Sequence, residues 1–296
     1  MFARASFALV VVFAAGLVAC GTPQQEEIGT TTQGLTQLAP GTIDGLGIEL
    51  HRIETLTAGQ AGHVIYAKDN THQLSTKWVP YDWRRAADGK NITYVVDPIF
   101  KIANGSVDSE PAVDASFETF SDETCSKLPI VKRLPVPGVF PSAILGLPGM
   151  VGDPFVADIV ELGYLPGWIF DAVLDEPGAQ DYVLGVTFTF IFINPDGSPT
   201  DINGDGKLDT ALKEIWYNDN FTWTTTGERF DIETVTLHEN GHALEMGHFG
   251  MLHRTPNGKI HFSPLAVMNA IYSGVQRKLR GNDIASYCAL FAAWPR

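Results

Sequence analysis

The chain has 296 residues, 45% of them hydrophobic, and its 34 acidic side chains outnumber its 20 basic ones, for a formal net charge of −14. This charge repels polyanions and anionic lipid surfaces, so we expect no nucleic-acid partner. The length permits one enlarged domain with a sizeable core, or a catalytic domain with a small N-terminal extension.

The N-terminal segment has the pattern of an export signal. Residues 1–19 carry one charge, Arg4, which is followed by an apolar run at residues 7–18. This run is too short to remain in a bilayer as a spanning helix. The pattern therefore predicts a secretory signal peptide over residues 1–19.

The end of this signal, Leu-Val-Ala-Cys at residues 17–20, resembles the lipobox of bacterial lipoproteins. The resemblance implies that Cys20 carries a lipid and anchors the protein to a membrane. A simple signal peptide cut after Ala19 is the alternative. Residues 20–40, rich in Thr, Gln and Gly, then predict a flexible tether. We expect an exported protein of the bacterial cell envelope, an outer-membrane lipoprotein or a secreted protein.

The next two segments give weaker structural signals. Alternation of apolar and polar residues at 48–53 predicts a strand inside an N-terminal extension at 41–74. Prolines and glycines in the first half of residues 134–185 exclude a long regular element there, while 157–164 predicts a short strand or helix. This insertion is either a wall of a substrate cleft or, as we prefer, a structural elaboration packed by its own Phe and Leu residues and Trp168.

Oxygen-bearing side chains stand at positions 1, 3, 5 and 9 of residues 201–209, with glycine at position 6. The spacing resembles the first part of an EF-hand loop, and oxygen ligands suit calcium. Leu212 stands where the bidentate glutamate is expected, so Asp196 or Glu214 would have to supply the missing oxygen. The alternative is a solvated acidic turn. The candidate calcium ligands are Asp201, Asn203, Asp205, Asp209 and the backbone oxygen of Lys207.

Three histidines and a glutamate further along have the spacing of a catalytic zinc site. On a helix, His238 and His242 lie one turn apart and face the same way. His248 can join them only if the chain turns back after the helix. Three histidine ligands leave one position of a zinc ion open, and Glu239 can act as general base for a water that zinc activates. The predicted reaction is metal-assisted hydrolysis of peptide bonds.

A methionine turn follows at residues 266–274, with Met268 as its methionine. With these motifs the chain resembles the metzincin zinc proteases, and within them the matrixin-like bacterial peptidases. The resemblance covers residues 75–134 and 185–294. It implies that this turn runs beneath the zinc and completes the floor of the active site.

The resemblance also assigns secondary structure around the zinc motif. Asp231 can cap the active-site helix, and a close approach of another segment would explain Gly241 inside it. The implied elements are a first strand at 77–78 and 92–98, a first long helix at 112–125, an edge strand at 211–223, the entry to the active-site helix at 230–237, and a C-terminal helix at 282–291.

One residue departs from the family pattern. Metzincins usually have glycine three residues after the second histidine, where the chain leaves the helix with positive φ, and this chain has Glu245. A non-glycine residue in that conformation costs about 1 kcal/mol or more. Either Gly247 relocates the turn, or His248 is placed imperfectly and zinc binding and catalysis suffer. We interpret Glu245 as a solvated residue at the helix end rather than an extra carboxylate beside the metal.

Two cysteines remain if Cys20 is lipidated. Cys125 and Cys288 would join the end of the first helix to the C-terminal helix, and an exported location permits such a disulfide. Two separate buried thiols are the alternative. We find no cysteine of the kind that some matrixin propeptides place on the zinc, so latency of that type is not expected.

The sequence and the resemblance together predict an α+β, metzincin-like zinc protease domain at residues 75–296. It is expected to have a twisted five-stranded mixed sheet, an active-site helix and a C-terminal helix. The predicted function is that of an exported, monomeric zinc endopeptidase acting on proteins or peptides, with Zn²⁺ as cofactor and Ca²⁺ as a candidate second ion. The alternatives are a catalytically impaired, metal-binding surface lipoprotein that acts by adhesion, and a zinc hydrolase of non-peptide amide bonds.

Overall fold

The computed structural model describes residues 46–59, 73–82, 84–85, 89–103, 107–145, 155–255 and 260–295. The predicted signal peptide, Cys20 and the tether lie outside the described residues. Within the described part of the chain, no helix is long and apolar enough to cross a membrane.

The described residues form a mixed α+β fold. Its strands are β1 (Gly47–Thr57), β2 (Thr76–Trp78), β3 (Ile92–Val96), β4 (Ile130–Lys132), β5 (Ile159–Leu165), β6 (Val183–Ile193), β7 (Leu208–Asn218), β8 (Trp223–Thr224), β9 (Phe230–Asp231), β10 (Met251–Arg254) and β11 (Ile260–Ser263). Its helices are α1 (Glu110–Ser121), α2 (Gly167–Val173), α3 (Ile232–Ala243) and α4 (Gly281–Phe291), with a short 3₁₀ turn at Ala179–Asp181.

The main sheet has the order β1-β6-β7-β5-β3-β4, and β2 pairs with the first residues of β7. The pairs β1–β6 and β6–β7 are antiparallel, while the other pairs are parallel. The prediction of five strands was therefore wrong, since seven strands join within the described residues. β2 and β4 are three residues long and give little periodicity, and β1 comes from the predicted extension.

Strand β7 also differs from the expected edge strand at 211–223, because it lies between β6 and β5. The polar side chains of β7 make its sequence resemble that of an exposed edge strand. Lys213 and Glu214 are fully buried, and each has hydrogen-bonding partners inside the protein. Burial of satisfied polar groups is compatible with a central strand.

Two apolar cores cover the two faces of the sheet. Alternate residues of each strand point to opposite faces, so Tyr94 packs in one core and Val95 in the other. The first core includes residues of α1, α3 and α4. The second includes residues of α2 and of the segment around Phe140. The helix α3 is therefore held against one face of the sheet.

The segment 134–185 contributes more to the fold than the predicted insertion. Its β5 lies in the middle of the sheet between β3 and β7. All seven residues of β5 are buried, so the strand lacks the alternation that would distinguish it from a short helix. Trp168, expected to pack this segment, is 64% exposed. Phe140 and Phe170 fill the second core instead.

A disulfide joins Cys125 to Cys288, with 5.6 Å between their Cα atoms. Of the two alternatives, the disulfide is therefore the one that the structure contains. Helix α1 ends before Cys125, which lies in the following turn rather than in the helix. The bond links this turn to α4 across 163 residues of sequence. It thus fastens the C-terminal helix to the first core.

We expect the double substitution Cys125→Ser and Cys288→Ser to lower the free energy of unfolding by about 2–5 kcal/mol, because the unfolded chain regains a long open loop. Chemical denaturation of the wild-type and variant proteins measures the change. Reductant should destabilise the wild type to a similar extent and leave the double variant unaffected. Equal stability of the oxidised wild type and the variant would contradict this prediction.

Glu214 illustrates how the second core accommodates a carboxylate. Its oxygens accept hydrogen bonds from the Ser142 hydroxyl at 2.7 Å and from the Ala143 amide at 2.7 Å. Burial raises the pKa of Glu214 from 4.5 to about 7, and these hydrogen bonds only partly offset the effect. Between these two pKa values the folded state holds a proton that the unfolded chain has lost. The free energy of unfolding therefore falls as pH rises through this range.

We expect Glu214→Gln to remove the contribution of this carboxyl group to the pH dependence. The unfolding free energy of the variant should therefore fall less between pH 4.5 and 7 than that of the wild type. The difference should reach at most about 3 kcal/mol. Denaturation series at several pH values measure it. The exposed Glu118→Gln serves as the control and should retain the pH dependence of the wild type. Parallel curves for the Glu214 variant and the wild type would refute the prediction.

Candidate metal centre

Helix α3 carries the first part of the site and is fixed at its start. The Asp231 carboxylate caps the helix by accepting a hydrogen bond from the Thr234 amide at 3.0 Å, as predicted. Near the other end, a Cβ atom on Gly241 would lie 2.3 Å from the sulfur of Met268. The close approach that was expected to explain Gly241 is therefore present. It brings the predicted methionine turn directly against the helix.

The three predicted histidines converge at one point. The Nε2 atoms of His238 and His242 are 3.0 Å apart, and the Nε2 atom of His248 lies 3.1 Å and 3.0 Å from them. This is the one group of three or more His, Cys, Asp or Glu residues, among those that the structure describes, whose ligand atoms lie within 4.8 Å of one another. The fit to a metal depends on which nitrogens carry hydrogen.

For His238 and His242, the other ring nitrogen settles this protonation. Nδ1 of His238 lies 2.7 Å from the Val267 carbonyl oxygen, and Nδ1 of His242 lies 2.8 Å from that of Met246. A carbonyl oxygen only accepts, so each Nδ1 must donate, and a neutral ring then has a bare lone pair at Nε2. Lone pairs at this separation repel one another unless a cation lies between them. An ion at the zinc–nitrogen distance of about 2.1 Å can contact all three atoms, so the donor set fits zinc.

Burial keeps the first two rings neutral. It lowers the pKa of His238 to about 3, and the neighbouring His248 adds to the effect. Burial likewise places the pKa of His242 well below its ordinary value. Neutral imidazole is the form that binds a metal ion. These two rings can therefore bind a cation without first having to lose protons.

The side chain of Glu239, a residue of α3, lies against strand β6. The Thr187 hydroxyl donates a 2.6 Å hydrogen bond to its Oε2, and a Cβ atom on Gly185 would come within 2.8 Å of its Oε1. Glycine at 185 therefore leaves room for the carboxylate. Burial raises the pKa of Glu239 well above its usual value, while hydrogen bonds from Thr187 and the Leu56 backbone act in the opposite direction.

The turn that brings His248 back passes through Glu245, whose φ is 64°. The suggestion that Gly247 relocates the turn was wrong, since the positive φ stays at Glu245. The interpretation of Glu245 as a solvated residue was also wrong, because it is fully buried. Its carboxylate accepts 2.5 Å hydrogen bonds from the hydroxyls of Thr76 and Thr210. The side chain therefore points to the sheet and fastens the turn there.

Lys213 of β7 completes this anchor. Its ammonium group lies 3.1 Å from a Glu245 carboxylate oxygen and donates a 2.8 Å hydrogen bond to the Thr189 hydroxyl. Burial lowers the pKa of Lys213, and the charge of Glu245 partly offsets this effect. The backbone is held as well, since the Leu74 amide donates to the Glu245 carbonyl oxygen at 2.9 Å. Hydrogen bonds and charge thus offset the strain of a non-glycine residue with positive φ.

Asp283 holds the methionine turn from the other side and was not identified as a site residue from the sequence. Its carboxylate accepts hydrogen bonds from the amides of Val267 at 3.0 Å and Met268 at 3.1 Å. The same side chain caps α4 by accepting from the Arg280 amide at 2.9 Å. An acidic residue in the first turn of the predicted C-terminal helix was the available signal.

Strand β1 also borders the centre, which the predicted extension did not anticipate. An oxygen of the Glu54 carboxylate lies 3.6 Å from Nδ1 of His248. Leu56 hydrogen-bonds through its backbone to Glu239. The sequence offered little signal for these contacts, because Glu54 is separated from the zinc motif by more than half of the chain.

The candidate calcium loop has a structure of its own. The Asp201 carboxylate accepts hydrogen bonds from the Asp205 and Gly206 amides at 3.0 Å each, and that of Asp209 accepts one from the Ile202 amide at 2.6 Å. Lys77 pairs with Asp205 at 2.9 Å. Glu214 was proposed as a further ligand, but it is buried among other partners. Calcium binding by Asp201, Asn203, Asp205, Lys207 and Asp209 stays a prediction.

No protein-family model matches the chain, and a search of curated proteins finds no match. The interpretation of the centre therefore rests on its own geometry and chemistry and on the sequence motifs.

We expect Lys213→Met to lower the free energy of unfolding by about 3–5 kcal/mol, because it leaves the Glu245 carboxylate buried without its partner. The double variant Lys213→Met with Glu245→Gln should lose much less unfolding free energy, since neither charge of the pair remains. Denaturation curves for the two variants measure the difference.

Lys77→Met is the matched control, because Lys77 also pairs with a carboxylate but both partners are partly exposed. It should change the free energy of unfolding by at most about 1 kcal/mol. Equal losses in the Lys213 and Lys77 variants would show that the buried pair has no special role.

Proposed function

We propose that the protein is a zinc-dependent endopeptidase of the metzincin type, similar to the matrixin-like bacterial peptidases. The observation that carries the proposal is the convergence of the Nε2 atoms of His238, His242 and His248 within 3.1 Å, with those of His238 and His242 unprotonated because their Nδ1 atoms donate to carbonyl oxygens. Three neutral imidazoles are a ligand set of catalytic zinc sites, which keep a fourth position open.

Two further features support the metzincin type rather than another zinc protein. Met268 contacts the glycine of the zinc helix, and the turn that carries it is bound to the C-terminal helix through Asp283. The third histidine is reached through a tight turn after the second. Each feature has a counterpart in the family pattern that the sequence resembles.

Zinc, when bound, would polarise a peptide carbonyl and activate a water molecule. The residues of the chain perform the remaining tasks. Val267 and Met246 hold two imidazoles in the orientation that presents Nε2. Thr187 binds Oε2 of Glu239 and holds this carboxylate, which would accept a proton from the attacking water and return it to the leaving amine.

The alternative of a catalytically impaired adhesion protein was motivated by Glu245. Since this residue turns away from the histidines and binds Lys213, its presence gives no reason to expect a distorted centre. A hydrolase of non-peptide amide bonds would use the same centre, so it differs from the protease in substrate alone. We further propose that the enzyme is exported, is anchored through a lipid on Cys20, and acts as a monomer on protein or peptide substrates.

We expect the purified protein to contain about one zinc ion per chain and to hydrolyse casein or quenched peptides in a chelator-sensitive way. Glu239→Ala should keep the zinc but lose turnover by a factor of about 10² or more, because the general base is gone. His242→Ala should lose the zinc itself. Metal analysis and activity assays on the same samples measure both effects.

Muropeptides serve as the comparison substrate. Zinc with cleavage of muropeptides alone would favour the amide hydrolase. Absence of zinc from a folded wild-type protein would refute the proposed centre.

A further inference from the structure

A polar cluster lies behind helix α3, on the side away from the histidines. Asn240 is two residues from both His238 and His242, and side chains at that spacing point to different sides of a helix. The Asn240 amide donates a hydrogen bond to the Ser116 hydroxyl of α1, and its side chain also interacts with the Glu161 carboxyl group of β5. Asn240 therefore links the helix of the metal centre to a neighbouring helix and to the sheet.

Glu161 is the centre of this cluster. It is fully buried, as is Tyr217 of β7, whose hydroxyl donates a 2.7 Å hydrogen bond to Oε2 of Glu161. Oε1 of Glu161 has no hydrogen-bond partner among the described residues, and neither has Oδ1 of Asn240. A protonated carboxyl group donates a hydrogen bond, whereas an ionised one only accepts. Only the neutral form of Glu161 can therefore supply a donor to this pair of buried acceptors.

The titratable groups around Glu161 come from every adjoining element. Those that interact with it electrostatically are Asp114 of α1, Glu239 of α3, Tyr94 of β3 and Tyr217 of β7. Tyr164, of β5 itself, packs against Tyr217. All five are acids or phenols, so none of them offers a counter-charge. Burial accordingly raises the pKa of Glu161 from 4.5 to about 8, and the interactions with Tyr217 and Asn240 offset this only in part.

We propose that Glu161 is a proton-dependent lock on helix α3, which holds Asn240 and the helix in place while it is neutral and releases them when it loses its proton. The locking group is separate from the metal ligands, although the helix carries two of them. This inference concerns the position of the helix and goes beyond the proposed function, so it does not depend on peptidase activity.

The lock should weaken as pH rises from 4.5 to 8. When α3 moves away, water reaches Glu161 and the pKa of this group returns toward its ordinary value of 4.5. The open state then loses the proton in this range, while the closed state retains it. Linkage therefore raises the open population by at most about tenfold per pH unit, until the closed state loses the proton as well. Helix α3 is expected to be held most firmly at the acid end of this range.

Backbone hydrogen exchange of α3 in the purified full chain tests the lock. Protection factors of the α3 amides, corrected for the intrinsic pH dependence of exchange, should fall about tenfold or more between pH 6 and 8. Glu161→Gln mimics the neutral form and should show little change over this range. Glu214→Gln is the matched control, because Glu214 is also a fully buried carboxyl group but is bound to the segment at Ser142 instead of to α3. It should retain the fall.

Metal release provides a second measurement. Zinc-loaded protein is mixed with an excess of a coloured chelator, and the rate of zinc release from the wild type is divided by that from Glu161→Gln. This ratio cancels the titration of the histidines, which both proteins share. It should rise about tenfold or more between pH 6 and 8, because the helix that carries two of the ligands opens more often in the wild type alone.

Tyr217→Phe tests the lock without changing Glu161, and it supplies the test if Glu161→Gln does not fold. The substitution removes a hydrogen bond that favours the ionised carboxylate, so the pKa of Glu161 should rise further. The pH at which the fall in α3 protection levels off should therefore be higher in this variant than in the wild type.

The same pH dependence of α3 protection in the wild type and in Glu161→Gln would overturn the inference. Equal effects of Glu161→Gln and Glu214→Gln would also overturn it, because the two carboxyl groups would then act through global stability alone. A pH-dependent loss of protection in a protein that binds no zinc would support the lock and contradict the proposed metal centre. The two proposals can therefore fail separately.

Discussion

The buried ion pair between Lys213 and Glu245 is the constraint on which the rest of the centre depends. It joins the central strand β7 to the residue at which the chain reverses after α3. Without a fixed reversal, the third imidazole could not meet the two that the helix presents. The two charges can remain in the interior because each also has hydrogen-bonding partners among nearby threonines. The sheet and the histidine cluster are thus held together as one rigid unit.

Local patterns were sufficient to predict the parts of the site that depend on local geometry. His238 and His242 share a helix face because of helix periodicity, and Asp231 caps that helix because its short carboxylate reaches the exposed amides. The partners of Glu245 could not be predicted, since Lys213 and Thr76 are distant in sequence and carry no signal of mutual contact. A propensity argument assigns a glutamate at a helix end to solvent, and burial with a cation reverses that assignment.

The fold was predictable as a mixed α+β arrangement, but not in the membership of its sheet. Strands β1 and β5 show two reasons why the strands of the sheet could not all be predicted. β5 is buried on both faces and therefore lacks a periodic pattern. β1 has the pattern of a strand, but the identity of its partner depends on which sheet edge the folded chain leaves free. Register and neighbours are decided by tertiary packing, which short-range periodicity does not encode.

The disulfide between Cys125 and Cys288 imposes an order on the maturation of the chain. Because 163 residues separate the two cysteines, the thiol of Cys125 has no native partner until the strands of the main sheet and helix α3 have been synthesised. A chain that crosses a membrane N-terminus first would present Cys125 to the oxidising side well before Cys288 arrives. During that interval the early thiol is exposed to non-native pairing and is available to thiol–disulfide exchange catalysts. The Cys125–Cys288 disulfide therefore forms late, after the C-terminal helix has packed against the first core.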